Sequence, residues 1–200
     1  MKAIYLKKIY SDLAYPLDRS ARGDCQVLSG QAENTDMTFS ARVYIAGRCS
    51  SSLDLAWALM DEGNIHIWDS VLCLEQWAGR GQLRRNWISP AGNIYAAWHW
   101  PELPAKWNRL TSILAGYILA LSFRELGIEI KIKWPNDLLF KGKKLGGVLV
   151  EEKKDKVLVG VGINVISSPG KKCLRDDSAV EACCLLEEAG KLGLLRDLEP

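Results

Sequence analysis

The stretch Ile128 to Trp134 reads Ile-Glu-Ile-Lys-Ile-Lys-Trp and runs directly into Pro135. Unbroken alternation of this kind fits a half-buried strand, with the isoleucines on a core face and the lysines on the other. Proline cannot donate to a sheet ladder and keeps the residue before it extended, so the strand stops at Trp134. Lys133, Asn136 and Asp137 then place a cation, an amide and a carboxylate within five residues of one another at a strand end. Short loops on a rigid sheet are common seats for binding and chemistry.

Other segments fill in around this one. Ile4–Ile9 and Arg42–Ala46 read as strands, and Ser29–Ser40 as a polar loop. Leu53–Met60 has helical apolar spacing behind Ser50-Ser51-Ser52, and serine in that place caps a helix by accepting from an unpaired backbone N–H. A helix N-terminus beside a sheet can also donate to a small polar ligand, but capping is the favoured reading. Val71–Glu75 and Gly92–Trp100 are further strands, the second apolar on both faces and therefore central. Ala105–Leu126 is the longest helix; its stripe Leu110, Ile113, Leu114, Tyr117, Ile118 and Leu121 is assigned to the core. After the Lys133 strand, Lys141–Lys144 reads as a basic hairpin turn, and Leu145–Glu151 and Val157–Val165 as two apolar strands. Gly146, Gly147, Gly160 and Gly162 interrupt those two strands, which marks close approach of backbone or ligand. Ala179–Leu195 reads as an amphipathic helix or two.

The charge balance, 26 basic against 24 acidic residues for a net +2, argues against a general nucleic-acid binder. Residues 1–40 do not read as a helix-turn-helix, the opening residues are not expected to act as a signal peptide, and no apolar run is long enough to span a bilayer. The six cysteines show no CxxC pair and no metal-ligand spacing, so they are read as reduced thiols in a cytoplasmic protein. His66 and His99 are isolated. Most of the eight tryptophans are assigned to core filling. Two hundred residues suit one domain.

Gly79-Arg80-Gly81, with Arg84 and Arg85 close behind, has the makings of an anion-binding loop able to close over its ligand. Glycine permits close approach, and arginine grips carboxylate or phosphate with two donors. The GxxxxGK[ST] phosphate loop is absent.

Taken in order, Gly79-Arg80-Gly81, then Arg85, Trp87 and Ser89-Pro90, then Lys133-Trp134-Pro135-Asn136-Asp137, Lys144-Leu145-Gly146-Gly147-Val148-Leu149-Val150-Glu151 and Gly160-Val161-Gly162-Ile163-Asn164 resemble the catalytic domain of biotin–protein ligases, within the biotin/lipoate ligase family. The likeness covers about Ser51 to Val165. It implies an α+β fold, a mixed and mostly antiparallel sheet flanked by helices and related to class II aminoacyl-tRNA synthetases. It also implies a two-step reaction with ATP and Mg²⁺: biotin is activated to biotinyl-AMP, then transferred to a lysine of a biotin carboxyl carrier protein.

By the same resemblance, Lys133 bridges the biotin carboxylate and the α-phosphate, and Arg80 closes over the adenylate. Asp137 orients the incoming lysine. Ser51, Ser52, Gln76 and Gly79 hold the biotin ring with Arg80, while Lys144, Gly146 and Gly147 line its acid chain. Trp87 underlies adenine, and Arg85, Asn136 and Asn164 complete the nucleotide site. No protein metal ligands are expected, and Mg²⁺ is expected with ATP. Three departures stand out. Leu53 and Gln82 replace polar and basic residues of the family pattern, with Arg84 where a glycine is usual, and the small C-terminal barrel of many relatives is expected to be absent. These departures bear on efficiency and acyl specificity, so a lipoate or octanoate enzyme of the same fold and a biotin-binding module without turnover remain the alternatives. Relatives that pair through a sheet edge make a homodimer an expectation as well.

Overall fold

In the computed structural model, which describes residues 26–31, 40–170 and 180–190, the alternating segment becomes the short edge strand β5 (Ile130–Lys133). Trp134, Pro135 and Asn136 turn the chain, with a cis Trp134–Pro135 bond, into β6 (Asp137–Phe140). The remaining strands are β1 (Gln26–Gln31), β2 (Ser40–Cys49), β3 (Ser70–Gln76), β4 (Ile94–Trp100), β7 (Lys143–Lys153) and β8 (Lys156–Ile163). They form one sheet in the order β1-β2-β3-β4-β8-β7-β6-β5. β2 and β3 run parallel, joined through α1 (Ser52–Asp61), and the other neighbours are antiparallel. Two more α-helices, α2 (Thr111–Glu125) and α3 (Leu185–Gly190), are described. The expected mixed, mostly antiparallel sheet with flanking helices is what forms.

Strand alternation splits the sheet into two faces. Ile130, Leu138, Phe140, Leu145, Val148, Val159, Val161 and Ile163 point to the face covered by α2. Tyr44, Ala46, Val71, Cys73, Tyr95, Ala97 and Leu158 point to the other, where α1 lies over β3, β4 and β8. On that second face α1 covers only half of the sheet. The half built from β5, β6 and the start of β7 carries Lys131, Lys133, Asp137 and Gly147 instead of core residues.

Several sequence expectations need correction. Helix α2 begins at Thr111, and a 3-10 turn (Asn108–Leu110) stands where residues 105–110 were expected to be helical. Its i→i+3 bonds, such as Leu110 N–H to the Trp107 carbonyl, wind tighter than an α-helix. The stripe assigned to the core is the outward face. Leu110, Leu114, Tyr117 and Ile118 are 40% to 54% exposed, whereas Thr111, Ala115 and Gly116 are buried, with Leu119, Ala120 and Phe123 against the sheet. The helix is apolar nearly all round, so periodicity could not choose between faces. Small residues win because they let the helix lie close to Ile132 and Leu138.

Ser29 to Gln31 belong to β1 and Ser40 to β2, because pairing such as Gly30 with Ala41 outweighs their turn-like composition. Within the expected helix 179–195, residues 180–184 instead run beside β7: Lys144 N–H donates to the Glu181 carbonyl, and Cys183 N–H to that of Lys144. The Ile4–Ile9 strand lies outside the described residues. Among the tryptophans Trp57 and Trp100 are buried, but Trp68, Trp77, Trp107 and Trp134 are exposed, so core filling does not account for most of them.

The inverted helix face has a direct consequence. Leu138→Ala, at a fully buried site, is expected to cost about 2–5 kcal/mol in urea denaturation. Leu114→Ala, on the outward face, should stay within about 0.5 kcal/mol. Equal losses would return the stripe to the core.

Candidate functional site

The register draws one line of residues across the half-face that no described helix covers. Lys133 pairs with Asp137, Asp137 with Gly147, Gly147 with Gly162, and Gly162 with Tyr95. Directly paired residues share a face, so the line sets a cation, a carboxylate and two bare glycines side by side. Tyr95, next along, is fully buried; its hydroxyl donates to the Pro90 carbonyl, and burial pushes the phenol up to about 12. Lys133 is exposed and has no carboxylate partner among the described residues. Lys144, from the same face of β7, holds Asp137 at 2.6 Å and sets its ammonium 5.6 Å from the Trp87 ring centre.

Trp87 lies on the glycines. A Cβ at Gly162 would come within 2.6 Å of the indole Nε1, so only glycine admits the ring there. Its Nε1 is buried without a hydrogen-bond partner among the described residues, as is the Oδ1 of Asn164 just past β8. Asn164 is otherwise tied down, its amide donating to the Cys183 carbonyl at 3.1 Å. Asn136 is a scaffold group: its amide donates to the Val148 carbonyl, and Val148 N–H donates back to its own. Arg85 is exposed on the loop, where its carbonyl accepts from Gly81 N–H at 2.8 Å.

A second cluster sits where β2 enters α1. Ser51 is the N-cap, its hydroxyl accepting from Asp54 N–H at 3.0 Å, as the capping reading required. The Ser52 N–H donates to Gln76 Oε1 at 2.7 Å, and Gln76 Nε2 donates to Ser89 Oγ at 2.9 Å. Ser51, Ser52 and Ser89 are buried. Gly79 keeps the loop closed, its carbonyl accepting from Trp87 N–H at 2.8 Å. Arg80 reaches from this loop across to α1 and β7, with Nη1 2.5 Å from Asp54 and Nη2 3.0 Å from Glu151. Burial raises the Asp54 carboxyl, but hydrogen bonds from Arg80, Ser50 and Ser51 outweigh it and hold the group below the usual carboxylate range.

The structure thus brings Lys133, Asp137, Lys144, Gly147 and Trp87 together and joins Ser51, Ser52 and Gln76 in a separate polar group, with Arg80 anchored by residues of α1 and β7. Gly146 does not join them. It pairs with Leu138 and Ile163, whose side chains belong to the α2 side, and so faces away. Sequence reasoning missed Asp54 as a partner of Arg80, and also Glu151, although Glu151 closes one of the quoted motifs. It also left Leu53 unexplained. Leu53 is buried, and a Cβ at Gly160 would lie 2.8 Å from its Cδ1, so the strand glycine makes room for the leucine.

The model of a family described as the biotin/lipoate A/B protein ligase family matches residues 48–166. The bifunctional ligase/repressor BirA of Salmonella typhimurium is 33% identical over 137 residues, 64% of this chain, which spans 41% of that relative's length. Biotin protein ligase from Leishmania major, solved in complex with biotin, superposes with a TM-score of 0.66 at 25% identity, covering 76% of this chain and 65% of that one. The Aquifex aeolicus biotin protein ligase, solved with biotin and ATP, gives 0.59 at 26% identity, covering 78% and 66%.

If Trp87 depends on the bare backbone beneath it, Gly162→Ala must push the ring off the sheet. The expected cost is about 1–3 kcal/mol of overpacking in thermal or urea unfolding. A variant as stable as the parent would show that the ring can shift freely.

Proposed function

The chain belongs to the biotin/lipoate A/B protein ligase family, and on that premise we propose that it is an ATP-dependent biotin–protein ligase, forming biotinyl-AMP and passing the biotinyl group to a lysine of a biotin carboxyl carrier protein. The observation that carries this reading is the line Lys133–Asp137–Gly147–Gly162 with Trp87 laid over its glycines.

The first step must bring a carboxylate to the α-phosphorus of a nucleotide, and these two anions repel each other. Preorganised cations facing the reacting atoms are the main source of help for such a step. Lys133 offers an ammonium that no carboxylate among the described residues neutralises, and Lys144 and Arg80 are the neighbouring cations. The Trp87 ring supplies an aromatic plate for a base, with the buried Asn164 Oδ1 near the strand end as an acceptor for an exocyclic amine. The Ser51–Ser52–Gln76–Ser89 group supplies buried donors and acceptors. A ureido ring needs both kinds, whereas an octanoyl or lipoyl chain would leave them facing methylenes, and this favours biotin. In the second step Asp137 accepts a proton from, or orients, the incoming lysine, once ligand binding has drawn Lys144 away from it.

Among the described residues no cluster of three His, Cys, Asp or Glu side chains is placed to hold a metal ion. Mg²⁺ is expected to arrive with the nucleotide's phosphates, where it is commonly held. Among the same residues no helix is long and apolar enough to cross a membrane. A cytoplasmic location, where the nucleotide and the carboxylase carrier are found, is part of the proposal.

Incubating the purified chain with ATP, Mg²⁺ and labelled biotin should yield biotinyl-adenylate and pyrophosphate, with lipoate and octanoate as weak competitors. Biotin binding without pyrophosphate release would count against catalysis. Lys133→Ala is expected to lower the rate by about 10²–10³, as loss of one charge-stabilising donor does elsewhere; an unchanged rate would remove Lys133 from the mechanism.

A further inference from the structure

Resting on the ligase reading, we infer that Asp54 and Glu151 are positioning residues for Arg80, two carboxylates that fix the guanidinium in place before an anionic ligand arrives.

A guanidinium has five N–H donors. In Arg80, Nη1 donates to Asp54 Oδ1, while Nη2 and Nε both donate to Glu151 Oε1, at 3.0 and 3.3 Å. Three donors are used, leaving one on each Nη for a ligand oxygen. Both carboxylates are themselves held. Glu151 Oε2 accepts from the indole Nε1 of Trp57 at 2.8 Å, and Trp57 is buried in α1. Asp54 stands in the first turn of α1, its own N–H capped by Ser51. Lys153 lies 4.4 Å from the Trp57 ring centre, over the same joint. Loop, helix and strand are thus tied together through one arginine side chain.

Charge alone cannot be the purpose of this arrangement. Two carboxylates around one guanidinium leave a net −1, which repels an anion rather than recruiting it. Orientation is what the clamp supplies. Arginine is a long, flexible side chain, and ordering it before binding removes that entropy cost from the binding step. Glu151 accepts on both oxygens from two bulky donors, Arg80 on Oε1 and Trp57 on Oε2. An amide could accept on only one and would set its own N–H₂ against the other donor. Asparagine at position 54, by contrast, keeps one carbonyl oxygen for Arg80, at the expense of the bonds from Ser50 and Ser51.

The test has a ligand-independent arm and a kinetic arm. In the ligand-free protein, NMR should show a resolved, protected Arg80 Nε–H resonance that Glu151→Gln abolishes and Asp54→Asn leaves in place. An Arg80 signal already averaged in the parent, or unaffected by Glu151→Gln, overturns the inference whatever the enzyme's activity. In pyrophosphate release, Glu151→Gln and Asp54→Ala should each lower kcat/KM by roughly ten- to a hundredfold, the weight of one charge-assisted hydrogen bond, while Asp54→Asn recovers most of it. Combined with Arg80→Ala, neither should cause a further loss. Losses that add in full to that of Arg80→Ala would mark a purely structural role and overturn it too. A parent protein that makes no adenylate would instead sink the ligase reading, and the NMR arm would still decide the clamp.

Discussion

Everything at the site depends on strand register across the β5–β6–β7–β8 half of the sheet. Side chains in a strand alternate with a period of two, so a slip of one residue would send Lys133 to the α2 face and bring Ile132 out. Two features guard against this slip. Ile130, Leu138, Leu145, Val148 and Ile163 are all buried on the α2 side, so any shift would expose several of them together. The β6–β7 pairing also changes step between Leu138 and Leu139, an irregularity that lets Lys144 meet Asp137 while Leu145 stays in the core. The hydrophobic core on one face therefore fixes the chemistry on the other.

The two helices divide the work in the same way. α2 presses its small residues onto β5 and β7, which leaves the reverse face of those strands clear. α1 covers β3, β4 and β8 on that reverse face and stops short of β5 and β6. Its N-terminal end is where Ser51, Ser52 and Asp54 sit, so the helix both seals the core beside the site and supplies the site's border. Leu53 belongs to the sealing role: it fills the space over Gly160, and the residue on either side of it faces the polar cluster.

Much of this could be read from the residues. The Ile128–Trp134 alternation and its proline gave the strand's end to within one residue, the serine cap lies at Ser51, and ordered glycine motifs pointed to a family whose model matches residues 48–166. What sequence could not supply was which residues face one another across strands. Glu151 stood in plain view at the end of a motif, yet its partners Arg80 and Trp57 lie 71 and 94 positions away. The outward face of α2 was misjudged because nearly every position of that helix is apolar, and a stripe cannot be distinguished where there is no contrast. The two neighbouring glycines of β7 looked equivalent in the chain, but alternation turns only Gly147 toward Trp87.

Charge balance explains why Lys133 holds the central place. Around the site, Lys144 is matched by Asp137 and Arg80 by Asp54 and Glu151, so these groups enter any binding event already neutralised. The Lys144–Asp137 pair is partly exposed and worth about 0–1 kcal/mol, so it can exchange partners cheaply as a ligand arrives, whereas Arg80 keeps its two carboxylates and offers its remaining N–H donors. Lys133 has nothing to give up. An anion meeting it gains the full interaction without first breaking a salt bridge, and the second anion is drawn to the same ammonium because Lys144 and Arg80 are partly spent on their carboxylates. A site built from paired cations alone would bind its ligands by exchange. Lys133, at the strand end beside Asp137 and without an ion pair among the described residues, gives the approach of two like-charged substrates a point of convergence.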